Sequence, residues 1–252
     1  MATSVRQRTA STDNDNGFTR ARRVVGRAFT PVWTVPNARF GLILFGLIIL
    51  VAACAPILSP YNPRQNDFGN SAGLSLAHPL GTTSSGQDVL SQLIWGGRIS
   101  VTVALSAGLM STVIAVVIGL SWGYMRTFSG EFVGFLVNLF LVIPSLPLMI
   151  IIAAYLQNGG MGVITLVIVL TGWAWGARVL RSQTQSLRSR DFVTAAAFSG
   201  DGTWRIIFHE IFPNMLSLII NNFFGAATAA VLAESGLEFL GLGDSTTISW
   251  GT

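Results

Sequence analysis

The chain has 252 residues, of which 51% are apolar and only 10% charged, with a mean hydropathy of +0.59 and a formal net charge of +4. All fifteen basic residues are arginine. That excludes a phosphate-binding loop of the Gly-x4-Gly-Lys-Ser/Thr kind and any Schiff-base lysine, while the single cysteine, Cys54, excludes an intrachain disulfide.

In chain order, residues 1–17 are polar and predict a disordered start. Residues 18–29 place Arg20, Arg22, Arg23 and Arg27 among Val24, Val25 and Phe29. This pattern fits a basic amphipathic helix on a membrane surface or simple topology-setting charge. No apolar h-region is present in this stretch, so it reads as a cytoplasmic tail (residues 1–38) and not a signal peptide. Residues 39–252 then form one transmembrane domain. Its long uncharged runs cover 40–63, 99–125, 132–177 and 211–233. A helical span needs roughly 20 mostly apolar residues, and the third run is long enough for two, divided near Gln157–Gly160. Five spans are predicted, at about 41–58, 99–122, 133–156, 161–178 and 214–234.

Arginine placement sets the orientation. Seven arginines precede the first span, Arg126 follows the second, and Arg178, Arg181, Arg188, Arg190 and Arg205 follow the fourth; only Arg64 and Arg98 lie on the other side. By the positive-inside rule the N-terminus is cytoplasmic and residues 59–97 form an outer loop.

The spans carry distinct faces. Gly108, Thr112, Ala115 and Gly119 recur at helical spacing in the second span, and Gly225, Ala226, Ala229, Ala230 and Ala233 do so in the fifth. Such small residues let helix backbones approach closely in lipid. Pro144-Ser145-Leu146-Pro147 in the third span predicts a kink, either for packing or for a gate, that borders a path through the protein. Pro144, Ser145 and Pro147, with Asn221 and Asn222 of the fifth span, are the candidates to line that path. Glu234 and Glu238 come only at the outer end of the fifth span, so no carboxylate is predicted at mid-membrane. That counts against an ion-coupled carrier.

Catalytic patterns fail on spacing. His209-Glu210 opens like a zinc-protease motif, but Pro213 stands where the second histidine belongs. His78 has no ligand set near it in sequence. The most informative segment is the polar stretch from Arg178 to Pro213, far longer than a linker between spans requires. Phe192, Ala195, Ala196 and Ser199 share one helix face. Gly200 suits a left-handed helix end, and Asp201 or Thr203 can cap the next helix. There Trp204, Ile207, Phe208 and Ile211 predict an apolar stripe, with Arg205 and His209 facing elsewhere. Pro213 is expected to end that helix and Asn214 to cap the fifth span. The stripe suits a groove in a soluble partner or the inner ends of the chain's own helices.

At these residues the chain resembles the permease subunits of binding-protein-dependent ABC importers. Their signature reads Glu-Ala-Ala, three residues, Gly, nine residues and an Ile-x-Leu-Pro ending. Thr194-Ala195-Ala196, Gly200 and Phe212-Pro213 occupy those places, with Thr194 in place of the glutamate and Glu210 in place of an apolar residue. Further segments are similar to the C-type subunit of dipeptide and oligopeptide permeases: Ser59-Pro-Tyr-Asn-Pro63, His78-Pro-Leu-Gly-Thr82, Gly86, Asp88-Val-Leu-Ser91 and Gly96-Gly-Arg-Ile-Ser100. Gly172-Trp173, Ala177-Arg178, Arg181 and the run from Glu234 to Gly243 match as well. Thr83, Gln87 and Gln92 stand where charged residues are usual.

The resemblance implies an all-α type I importer fold in a bacterial inner membrane. It also implies a sixth span after Ser249-Trp-Gly251, missing here through truncation. The coupling region becomes 179–213, with Thr194, Ala195, Ala196, Gly200, Asp201, Gly202, Trp204, Arg205 and Phe208 meeting an ATPase subunit. Implied partners are a second homologous permease, two ATPases holding ATP and Mg, an extracytoplasmic binding protein and a peptide. This chain itself binds no cofactor or metal and catalyses nothing on that reading. A permease for nickel or another small solute, or an ion-coupled carrier, is the alternative.

Overall fold

A computed structural model describes residues 35–125, 128–156, 160–243 and 247–252. The basic-helix expectation at 18–29, the disordered start and the divide at 157–159 lie outside these residues. The chain separates into two units, Met1–Phe40 and Gly41–Thr252. The described part of the first is the opening of a helix that continues into the second. The second unit holds all the remaining helices.

The helices in order are α1 (Pro36–Ala53), α2 (Ala55–Leu58), α3 (Val89–Tyr124), α4 (Phe128–Val142), α5 (Ser145–Tyr155), α6 (Gly160–Arg188) and α7 (Asp191–Phe198). Then come α8 (Thr203–Arg205), a π-helical segment π1 (Ile206–Ile211), α9 (Phe212–Asn214) and α10 (Leu216–Phe239). Four of them, α1, α3, α6 and α10, are long and apolar enough to cross a membrane; with the bent pair α4–α5 counted as one span the number among the described residues is five, as composition predicts. Cys54 stands in the break between α1 and α2, where the expected span continues through it.

Helix α3 is the axis of the unit, packed along both α6 and α10. Small residues make that approach possible. A Cβ on Gly119 would lie 2.7 Å from the Ala177 carbonyl oxygen, and one on Gly108 would lie 2.9 Å from the Ala227 methyl. Lipid gives helices no hydrophobic drive to associate, so close backbone contact of this kind carries the packing. On α10 the buried small face is Ala227, Ala230 and Ala233, whereas Gly225 and Ala229 are exposed. The expected stripe on this helix is therefore rotated by about a fifth of a turn: Ala230 and Ala233 belong to the buried face, and Gly225 does not.

Two helices run further than hydropathy indicates. The second span is expected at 99–122, but α3 begins at Val89, because the Asp88 carboxylate caps it by accepting from the Ser91 N–H at 2.8 Å. At 36 residues, α3 is about 54 Å long and exceeds the ~30 Å hydrocarbon core. Arg98 interrupts the uncharged run and hides the first turns from a reading by hydropathy. Likewise α6 continues ten residues beyond 178, held by buried Leu180 and Thr184; the Thr184 hydroxyl donates to the Leu180 carbonyl at 2.8 Å.

The third span is broken, where a kink is expected. Helices α4 and α5 meet at 89°. Pro144 is extended (φ −60°, ψ 120°) and caps α5, with no N–H to continue α4. Pro147 falls in the first turn of α5, where backbone N–H groups have no helical acceptor in any case. One proline ends a helix and the other is tolerated at the start of the next.

Candidate functional site

The segment from Asp191 to Asn214 is a helix, a turn and a second helical stretch. Its turn is built by Gly200, at φ +86°, a conformation that costs an L-residue with a side chain. The Gly200 N–H donates to the Ala197 carbonyl and the Asp201 N–H to the Ala196 carbonyl, both at 3.1 Å. These two bonds form the Schellman ending expected at Gly200. The capping expectation for the next helix is wrong: Gly202 is the N-cap and no side chain caps it. Asp201 instead accepts from Arg205 Nε at 3.2 Å, one turn along.

Beyond Arg205 the backbone widens into π1, with the Phe212 N–H reaching the Ile207 carbonyl five residues back. A proline ring collides with the carbonyl four residues before it in an α-helix, and a wider turn relieves that clash at Pro213. The helix therefore passes through Pro213 and turns only at Met215 (φ −102°, ψ 1°), contrary to the expected stop. Asn214 does not cap α10; its amide donates to the Glu210 carbonyl at 2.6 Å.

The widened turn also splits the expected apolar stripe. Ile206, Ile207 and Ile211 are buried together with Val193 of α7, in the cluster that contains Leu120, Ala177 and Leu180. Trp204 and Phe208 point outward, 54% and 47% exposed, stacked at 6.0 Å between centroids. Phe198 is 89% exposed, and Thr194 and Ala195 face outward, with Ala196 half-buried. The Thr194 hydroxyl donates to the Arg190 carbonyl at 3.2 Å. Of the nine coupling candidates, the structure gathers the aromatic pair, the turn and the Thr194–Ala195 face on one platform, riveted to α3 and α6 by three isoleucines and a valine.

The path candidates fare differently. Pro144, Ser145 and Pro147 are exposed at the α4–α5 break, and Asn221 is exposed on α10. Asn222 is half-buried and donates to the Thr112 hydroxyl at 3.2 Å, so near α6 that a Cβ on Gly176 would lie 2.5 Å from its Oδ1. It clamps three helices together.

Two polar clusters at the other end of α3 escaped sequence reasoning. His78 Nδ1 lies 2.9 Å from Asp88 Oδ1, beneath the rings of Tyr61 and Phe68 at 5.1 and 4.5 Å. Asp88 is fully buried. Burial disfavours its charge, but hydrogen bonds from Ser91 and His78 outweigh that and hold the carboxyl below its ordinary range. In the second cluster the Ser100 hydroxyl donates to Glu234 Oε2 and accepts from the Trp250 N–H, each at 3.1 Å. Segments 96–100, 234–243 and 249–251 thus converge on one serine. The capping pattern Asp88-x-x-Ser91 is visible in sequence; pairings ten and 134 residues apart leave no local signal.

Residues 115–250 match the family of binding-protein-dependent transport system inner membrane components. Residues 36–79 match the N-terminal transmembrane domain of oligopeptide transport permease C. The chain belongs to this transport family. It is 36% identical over 203 residues to the oligopeptide transport system permease protein OppC of Mycobacterium tuberculosis, covering 78% of this chain and 69% of that protein. It is 33% identical to the dipeptide permease DppC of Bacillus subtilis (85% and 67% covered). With the di/tripeptide permease DppC of Pseudomonas aeruginosa the identity is 32% (84% and 72% covered). The chain is thus a membrane-embedded permease subunit with the type I importer fold, one that works with other transport-system subunits.

Proposed function

We propose that this chain forms half of the translocation pathway of an ATP-driven importer for di- or oligopeptides, and that the 190–213 region receives the stroke of a separate ATPase. The exposed Trp204–Phe208 pair carries this reading. Two stacked aromatics left in solvent on a rigid mount fit an apolar groove in a partner. Val193, Ile206, Ile207 and Ile211 tie that mount to the spanning helices, so force on the ledge would move α3 and α6 as one body.

In this scheme the N-terminus and the platform are cytoplasmic, a placement supported by the arginine distribution. The partners are a second permease, two ATPases that hold ATP and Mg, and a binding protein that delivers peptide at the 59–88 end. Peptide, as opposed to nickel, is supported by the names of the relatives, all of them peptide permeases. On this reading Pro144, Ser145, Pro147 and Asn221, all exposed, would line the path.

The test is Trp204→Asp in the assembled transporter. We expect peptide uptake to fall at least about tenfold, as for loss of an interface anchor, with the chain still inserted and less ATPase co-purified. Normal uptake with normal ATPase recovery overturns the coupling assignment.

A further inference from the structure

A cavity of about 1140 Å³ opens between the end of α3, the start of α4 and the last turns of α6, lined among others by Trp122, Glu131, Asn138, Arg181, Gln185 and Arg188. Ligand sites commonly measure roughly 300–1,000 Å³, and this space, somewhat larger, has room for a headgroup-sized molecule. Its floor is rigid. Trp122 is buried and flattened on one side against Gly134, where a Cβ would lie 2.7 Å from the indole. The Arg181 guanidinium sits 3.7 Å from the centroid of the same ring. Arg188 lies 5.5 Å from the Tyr124 ring.

Both arginines are held by aromatic faces, and neither has a carboxylate within ion-pair distance among the described residues. Arg181 Nε is buried there without a hydrogen-bond partner. A guanidinium stacked through its face keeps its N–H edges free for a phosphate or carboxylate. A buried donor with no acceptor costs free energy that such a ligand would recover.

Depth identifies the source of that ligand. The uncharged run of α6 ends at Ala177, which puts Arg181 about 6 Å beyond it along the helix. This is headgroup depth, since the polar layer adds roughly 5–8 Å to each side of the hydrocarbon core. Tryptophan and tyrosine at that level are the usual interfacial anchors, and basic pockets between spanning helices take lipid headgroups. Glu131 lines the same cavity, which disfavours a strongly anionic headgroup and suits one that carries an amine beside its phosphate.

We propose that this cavity is a phospholipid site, with Arg181 and Arg188 taking the phosphodiester and Glu131 the ammonium of a phosphoethanolamine headgroup. Its assignment to the inner leaflet rests on the orientation proposed above; the binding itself does not.

The experiment is native mass spectrometry of the complete transporter, delipidated and then offered dioleoyl-phosphatidylethanolamine, dioleoyl-phosphatidylglycerol or soluble glycerophosphoethanolamine. Wild type should retain phosphatidylethanolamine in preference to phosphatidylglycerol. Arg188→Gln, on the last turn of α6, should weaken retention about fivefold, the effect of one arginine at a membrane surface. Glu131→Gln should reverse the headgroup preference while the total lipid retained stays similar, a readout that misfolding would not produce. Equal retention by wild type, Arg188→Gln and Glu131→Gln overturns the site. Binding of the soluble headgroup with no lipid retained overturns the lipid as its source. Lipid retention is read without transport, so failure here is distinct from failure of the coupling assignment.

Discussion

The two polar ends of this molecule are built to opposite plans. At one end, the polar groups around His78 and Asp88 pair with one another. The His78 ring lies under Tyr61 and Phe68, Asp88 is buried against His78 and Ser91, and the Ser91 hydroxyl accepts from the Tyr61 N–H. At the other end, the 190–214 platform buries only its anchors and leaves Phe198, Trp204 and Phe208 in the open. A region whose aromatics pack on one another is largely completed by folding. A region that uses four buried aliphatics to hold Phe192, Phe198, Trp204 and Phe208 outside needs something else to complete it. The first end should therefore respond to mutation in stability, and the second in transport.

Gly200→Pro should break the second end most severely. Its φ of +86° is closed to proline, whose ring fixes φ near −65°, and the substitution also removes the N–H that bonds the Ala197 carbonyl. The turn would be lost at a cost of about 3 kcal/mol or more. We expect uptake in vesicles to be abolished with membrane insertion intact. Retained uptake would mean that the geometry of the turn does not transmit force.

At the finished end, Asp88→Ala removes a helix cap, the partner of His78 and an acceptor for Ser91 together. The expected destabilisation is about 2–3 kcal/mol, since the cap alone is worth ~1 and the orphaned donors add the rest. Thermal unfolding of the purified transporter would register it, and a variant as stable as wild type would show that the outer loop is not held by this pair. The pH dependence follows from the direction of the Asp88 shift. Its folded-state pKa lies below its unfolded value of about 3.9. The stabilisation is therefore fully present above that value and is lost as pH falls through the folded pKa. The loop should hold throughout neutral and mildly acidic conditions and loosen only below about pH 4, a decline that Asp88→Asn should flatten.

Between the ends, two glycines on neighbouring helices give a sharper contrast. Gly176 meets Asn222 and Ala115 so closely that a methyl group has no room, whereas nothing lies within 4 Å of a Cβ on Gly225. Gly176→Ala should cost about 1–3 kcal/mol through overpacking. Gly225→Ala should be neutral or slightly stabilising, because alanine is the better helix former. Equal melting temperatures for the two would contradict the three-helix junction.

How much of this was legible in the sequence depends on the range of the interaction. Spans, the Gly200 turn and the α3 stripe are local patterns, and they stand where hydropathy and spacing put them. Helix ends are hidden from hydropathy where a helix continues past a charged residue, to Val89 beyond Arg98 and to Arg188 beyond Arg178. The second platform helix departs from an ideal 100° per residue. Pro213 widens the helix instead of ending it, and the stripe splits into an anchored face and an open one. His78–Asp88 and Ser100–Glu234 join residues brought together only by the fold, so no window along the chain could have paired them.

Thr194 separates the local from the global reading at the smallest scale. The family signature carries glutamate here, and the hydroxyl present instead spends itself on the Arg190 carbonyl of its own helix. The position is exposed, so Thr194→Glu removes one solvent-accessible bond and adds a side chain with open space around it. On a helix the exchange of threonine for glutamate is worth only a few tenths of a kcal/mol, and the first turn of α7 already favours negative charge. Uptake and stability should both stay within about twofold of wild type. ATPase co-purification is the decisive measurement, because a charge on the exposed face of α7 acts only on whatever docks there. If recovery of the ATPase collapses while the chain remains folded, the threonine is matched to its partner, and the platform's specificity is written in Thr194 as well as in the two aromatics.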